Sequence, residues 1–98
     1  MAIIGKILKP SIAKSGAKTF VYFYQGKEFL DFASFDARYF SYGDRFLLFI
    51  DKYNPGKWEM SKSRIRLGSF KDIIKDSSVT YYDNPSDMNK LDSIPNDR

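Results

Sequence analysis

The stretch Thr19-Phe20-Val21-Tyr22-Phe23-Tyr24-Gln25-Gly26-Lys27-Glu28-Phe29-Leu30-Asp31-Phe32 decides the fold. Its first six residues are β-branched or aromatic, the side chains that fit the pleated surface of a strand. Gln25-Gly26 supplies a two-residue reversal in which Gly takes a positive φ freely, and Lys27 to Phe32 runs back, so the stretch reads as a β-hairpin. A period of two puts Phe20, Tyr22 and Tyr24 on one side of the first strand and Val21 and Phe23 on the other. Both sides are apolar. Such a strand fits a barrel or sandwich with something packed outside it, or else leaves one face open as an aromatic binding surface. The first arrangement is the commoner one, because each ring buries a large apolar area.

Working outward, residues 2–9 are rich in Ile and Leu and read as a first strand, followed by a loop over Pro10–Lys18. Tyr42-Gly43-Asp44 is a turn, and Arg45–Tyr53 is a long central strand with Phe46, Leu48 and Ile50 on one face. Asn54-Pro55-Gly56-Lys57 is expected to stop it, since Pro has no N–H for a ladder. Trp58-Glu59-Met60 resumes in strand, and Arg64-Ile65-Arg66-Leu67 alternates charged with apolar residues. Over Ser69–Asp76 the period changes, with Phe70, Ile73 and Ile74 on one side of a short helix that Ser69 caps. Val79-Thr80-Tyr81-Tyr82 reads as a last strand. The expected fold is mainly β: a small, partly open antiparallel barrel, SH3-like or OB-like, of five or six strands, with one helix near residues 69–76. Val21, Phe23, Phe46, Leu48, Ile50 and Ile65 are its expected core. Residues 1–82 form this domain, and 83–98, with only Met88, Leu91 and Ile94 as apolar anchors, read as a polar, loosely attached tail.

Gly5-Lys6-Ile7, the hairpin Val21–Phe29, Tyr42-Gly43-Asp44-Arg45-Phe46-Leu47-Leu48-Phe49 and Asn54-Pro55 form a succession that resembles the small β domains of uncharacterised bacterial proteins: a Gly-Lys hairpin, a Gly-Asp turn, an apolar strand and Asn-Pro. The resemblance spans residues 3–56. It implies a compact β-barrel-like domain and no known reaction, and proteins of that type often carry membrane segments.

The chain has 98 residues, enough for one domain. It contains no Cys and no His, which excludes disulfide scaffolds, Cys/His zinc sites, thiol nucleophiles and Ser-His triads. Ser15-Gly16-Ala17-Lys18-Thr19 lacks the spacing of a phosphate-binding loop. Glu28 and Asp31 lie three apart on a strand and point to opposite faces, so they make no acid–base pair. No enzyme, metal or cofactor is expected, and the longest apolar run, Phe46–Ile50, is far short of a membrane span, so a cytoplasmic protein is expected. Aromatic residues make up 17% of the chain, an unusual share that points to binding or to a ring-filled core.

The net charge of +4 is uneven: residues 83–98 carry four acids against two bases, leaving 14 basic and 8 acidic groups in the first 82. A basic body attracts phosphates or acidic surfaces, although solvated surface lysines give the same excess. Two readings follow. The first is a non-catalytic module that docks a specific protein partner, of the inhibitor, immunity or assembly type, because Tyr, Trp and Arg supply interface hot spots. The second is a single-stranded nucleic-acid or nucleotide binder in which sheet aromatics stack bases. In both, the expected binding residues are Trp58, Arg64 and Arg66 with Lys57 and Lys62, Arg64 and Arg66 sharing a face by their spacing of two. Nothing in the sequence sets an oligomeric state.

Overall fold

A computed structural model describes residues 1–8, 17–34, 40–60 and 80–95. They form strands β1 (Ala2–Leu8), β2 (Ala17–Tyr24), β3 (Lys27–Ser34), β4 (Arg45–Asp51) and β5 (Asn54–Met60), and a helix α1 (Pro85–Asp92). All neighbouring strands pair antiparallel in the order β3-β2-β1-β4-β5. The first three meander and the fourth returns beside the first, a Greek-key path to which β5 adds a hairpin. The sheet curls into a nearly closed barrel, as the expected fold class requires. No described helix is long and apolar enough to cross a membrane.

Local chemistry explains the reversals. Gln25 and Gly26 both take positive φ, 51° and 80°, the turn whose twist matches a two-residue hairpin. The Gln25 N–H donates to the Tyr82 hydroxyl and the Gly26 N–H to Asp87 Oδ1, which offsets the strain of a non-glycine residue in that region. At the other turn Gly43 has φ 89°, Asp44 N–H donates to Ser41 O, and Asp44 Oδ2 accepts from Ser41 N–H. Between β4 and β5 the reversal falls at Lys52-Tyr53, earlier than the Asn54-Pro55 stop expected from sequence. Asp51 Oδ1 accepts from Tyr53 N–H and starts the turn, and Pro55 sits within β5, at the end of the sheet order, where a missing N–H is tolerated.

Apolar side chains are buried on both sides of the sheet, except along the outer side of β3. Ile3, Ile7, Phe20, Tyr22, Phe40, Phe46, Leu48 and Ile50 fill the barrel interior. On the outer side Ala2, Ile4, Leu8, Val21 and Leu47 pack with Leu91 and Ile94. Of the expected core, Val21, Phe46, Leu48 and Ile50 are buried, but Val21 lies on the outer side and Phe23 is only half-buried there. Phe20 and Tyr22 are the interior residues of β2. Ile65, Arg64–Leu67 and the expected helix at 69–76 lie outside the described residues.

Two expectations about the chain's end are corrected. Of the expected last strand Val79–Tyr82, Val79 lies outside the described residues, and the rest contributes a single parallel bridge from Tyr81 to Ala2, with Ala2 N–H on Thr80 O and Tyr82 N–H on Ala2 O. And residues 85–95, read as part of a loose tail, dock: Leu91 is 1% exposed against the outer cluster. Asn84 caps α1 by accepting from Asp87 N–H, Pro85 enters its first turn, and Lys6, buried on β1, donates to Ile94 O at 2.7 Å just past its carbonyl end.

Leu48 is fully buried in the interior, so Leu48→Ala should cost about 2–5 kcal/mol in urea unfolding. Gly5 faces the same interior, and a Cβ there would come within 2.8 Å of Leu48 Cδ2 and Phe46 Cζ. Gly5→Ala should therefore lower stability by about 1–3 kcal/mol through overpacking, although alanine is the better strand residue.

Candidate functional site

β3 and β5 are the two ends of the sheet order, and among the described residues no backbone ladder joins them. Side chains cross the seam instead. Trp58, opposite Ile50 on β5, donates its indole N–H to Asp31 Oδ2 at 2.6 Å and meets the Phe20 ring edge-on at 4.9 Å. Tyr22 donates its hydroxyl to Pro55 O at 2.6 Å and stacks on Phe29 at 5.1 Å. Asp31 Oδ1 accepts from the backbone N–H of Phe32. One carboxylate thus occupies an edge N–H of β3 and holds the tryptophan of β5.

Burial raises the pKa of Tyr22 from 10.0 to about 12, and the Asp31 charge adds to it. Tyr81 is raised by burial and the Asp83 charge, against Arg45, and Tyr82 by burial and its hydrogen bond to Asp87. These shifts lead away from neutrality, opposite to what acid–base catalysis near pH 7 needs. Among the described residues no three Asp or Glu side chains gather as a metal site. A shallow depression of about 260 Å³ is lined by Phe49, Ile50, Asp51, Lys57, Trp58 and Glu59.

The expected binding residues separate. Trp58 is half-buried, its ring packed on the interior cluster and its N–H bonded to Asp31. Lys57 is exposed and, one residue away on the strand, points to the opposite side. Both border the depression. Lys62, Arg64 and Arg66 lie outside the described residues. The sheet rings Phe20, Tyr22 and Phe46 are interior, so they present no face on which bases stack.

Among the described residues the exposed large apolar side chains are Leu30 (53%), Phe32 (58%), Tyr42 (44%) and Tyr53 (85%). Leu30 and Phe32 share the outer face of β3, directly opposite Val21 and Thr19 of β2. Lys18 Nζ lies 4.6 Å from the Tyr42 ring centroid, and Lys52 Nζ lies 5.0 Å from that of Tyr53. Periodicity does not single out Leu30 and Phe32, because both sides of the hairpin are apolar and either one could be the open face. Asp87 has a local signal, since Asn84-Pro85-Ser86-Asp87 carries a helix start: a capping Asn, Pro in the first turn and an acid behind it.

No family model, no curated protein and no solved structure matches this chain.

Trp58→Phe keeps a ring at the seam but leaves Asp31 Oδ2 without its donor, and should cost about 1–3 kcal/mol in urea unfolding. The fold favours the neutral form of Tyr22, so that stabilisation is complete below pH 10 and lost as pH rises through about 12. A phenolate cannot donate to Pro55 O. Alkaline titration followed by tyrosinate absorbance should show late ionisation with a step near pH 12 that coincides with loss of near-ultraviolet circular dichroism, and Tyr22→Phe should remove that step.

Proposed function

We propose that this chain is a non-catalytic binding module of a cytoplasmic setting that docks a protein partner through the outer face of β3. The observation that carries the reading is the pair Leu30 and Phe32, both more than half exposed on adjacent same-side positions of one strand, next to a face that is otherwise covered. Apolar side chains clustered on a small rigid domain mark contact surfaces. The raised tyrosines favour binding over acid–base chemistry near neutrality.

The distribution of charge favours the same reading. The described residues hold seven Lys and Arg against eight Asp and Glu, so the barrel itself is close to neutral. The basic excess of the chain falls in residues 9–16 and 61–79. That excess favours a second reading. A five-stranded Greek-key barrel in a chain of basic excess suits an OB-like domain for single-stranded nucleic acid, in which Lys57, Lys62, Arg64 and Arg66 would track phosphates and Trp58 would contribute a ring.

One experiment with two arms separates these readings. Affinity capture on the immobilised chain should retain a specific protein, and Leu30→Glu with Phe32→Glu should abolish capture while shifting stability by no more than about 0.5 kcal/mol per exposed site. In parallel, single-stranded oligonucleotides should bind weakly at two salt concentrations. Tight binding that falls steeply with salt and is lost in Arg64→Glu with Arg66→Glu, with no protein captured, would overturn the docking reading in favour of the second.

A further inference from the structure

We infer that α1 is a separable cover over an apolar face of the barrel, and that the face it covers takes an amphipathic helix of the partner in its place. The two apolar clusters lie on opposite sides of the sheet. The interior one is built by the barrel, Ile3, Ile7, Phe20, Tyr22, Phe46 and Leu48 among its members, and takes nothing from α1. The outer one consists of strand residues Ala2, Ile4, Leu8, Val21 and Leu47 with Leu91 and Ile94 laid over them. Lifting α1 bares the outer face and leaves the interior sealed.

The attachment of α1 suits such a cover. Eight residues are too few to hold a helix alone, so its order depends on docking. Its apolar footing is Met88 and Leu91, with Ile94 just past its end. The other ties are polar. Asp87 Oδ1 accepts from Gly26 N–H, and Asp87 Oδ2 accepts from the Tyr82 hydroxyl. Lys90 Nζ reaches Gly26 O at 3.4 Å, Arg45 pairs with Asp92, and Lys6 Nζ donates to Ile94 O. Asp87 and Lys6 are buried in making these bonds, whereas the Lys90 contact is exposed. A short element that joins no sheet ladder and rests on a small apolar footing opens ahead of the strands.

The same contacts define what fits in its place. The bared strip of Ile4, Leu8, Val21 and Leu47 is flanked by half-buried Phe23 and Phe49, and Val21 stands directly opposite exposed Leu30. The face therefore continues into the docking surface proposed above. It takes a helix with apolar residues at i and i+3 and a further apolar residue just past its end, a carboxylate at its start for the Gly26 N–H, and its carbonyl end over the Lys6 ammonium. As long as α1 occupies the face from the same chain, its high effective concentration holds off a competitor, so the contact is autoinhibitory. The inference rests on the docking reading for the partner being a protein; the covering itself is tested without any partner.

The test uses the full chain, with a fluorescent synthetic peptide of residues 83–95 as probe, native-state hydrogen exchange and peptide-binding anisotropy. In the unaltered protein the α1 amides should exchange at least about tenfold faster than those of β1, as expected of a local opening. Asp87→Ala should speed α1 exchange by about a further tenfold, leave β1 exchange unchanged, and raise peptide affinity by the same factor, since apparent affinity follows the open fraction. Lys90→Ala, which loses only an exposed contact, should move both readouts in the same direction by less. Equal exchange of α1 and β1, with Asp87→Ala and Lys90→Ala slowing or speeding both together, would overturn the inference. So would opening of α1 with no gain in peptide binding. Partner capture that is lost in the β3 variant while peptide binding persists belongs to the docking reading, so the two failures are distinguishable.

Discussion

Strand β1 gives no face to water, and the rest of the architecture follows from that constraint. Ile3 and Ile7 point into the barrel, whereas Ala2, Ile4 and Leu8 point out of it, and all five are buried. A central strand apolar on both sides needs two coverings. The sheet supplies one by curling until β3 and β5 meet. The other has to come from outside the sheet, and α1 supplies part of it. The one charged residue on the outer side of β1, Lys6, is accommodated because its ammonium reaches the carbonyl of Ile94 beyond the end of α1, so the cation is hydrogen-bonded and near the negative end of the helix.

Closure depends on a small number of polar contacts placed against rings. The indole N–H and the tyrosine hydroxyl that cross from β5 to β3 and from β2 to β5 each end on an oxygen, so the aromatic bodies are buried without stranding their polar ends. This accounts for the high aromatic content in structural terms: Phe20, Tyr22, Phe29, Phe46 and Trp58 form one ring-lined interior. It also moves the search for a binding surface from the sheet aromatics to the apolar residues left on the outside. Those residues, Leu30 and Phe32, adjoin the face that α1 covers, so exposed and covered apolar surface form one continuous strip across β3, β2 and β1.

The C-terminal segment binds the two coverings together. Tyr82 and Asp87 take both N–H groups of the Gln25-Gly26 turn, and Asp87 is buried while doing so. The hairpin that is most evident in the sequence thus has its tip held by the segment that is least evident in it. Polarity misled the reading of that segment. Short polar stretches resemble solvated tails, and three apolar residues count for little until a matching face is present to receive them.

Local chemistry in the sequence determined the strands and their reversals: the period of two in Phe20–Tyr24 and Phe46–Ile50, the glycines at 26 and 43, and the excess of apolar faces over what one barrel interior can hold. These features act between neighbours along the chain, and neighbours are visible in a sequence. Tertiary structure alone decided which side of β2 faces inward, because both sides are apolar and periodicity cannot choose between Phe20-Tyr22 and Val21-Phe23. It decided that Trp58 closes a seam, through a carboxylate 27 residues away. And it decided that the last helix docks, through bonds spanning 61 and 88 residues. Contacts at such separations form only once the sheet has curled and brought their partners together, so no local pattern encodes them.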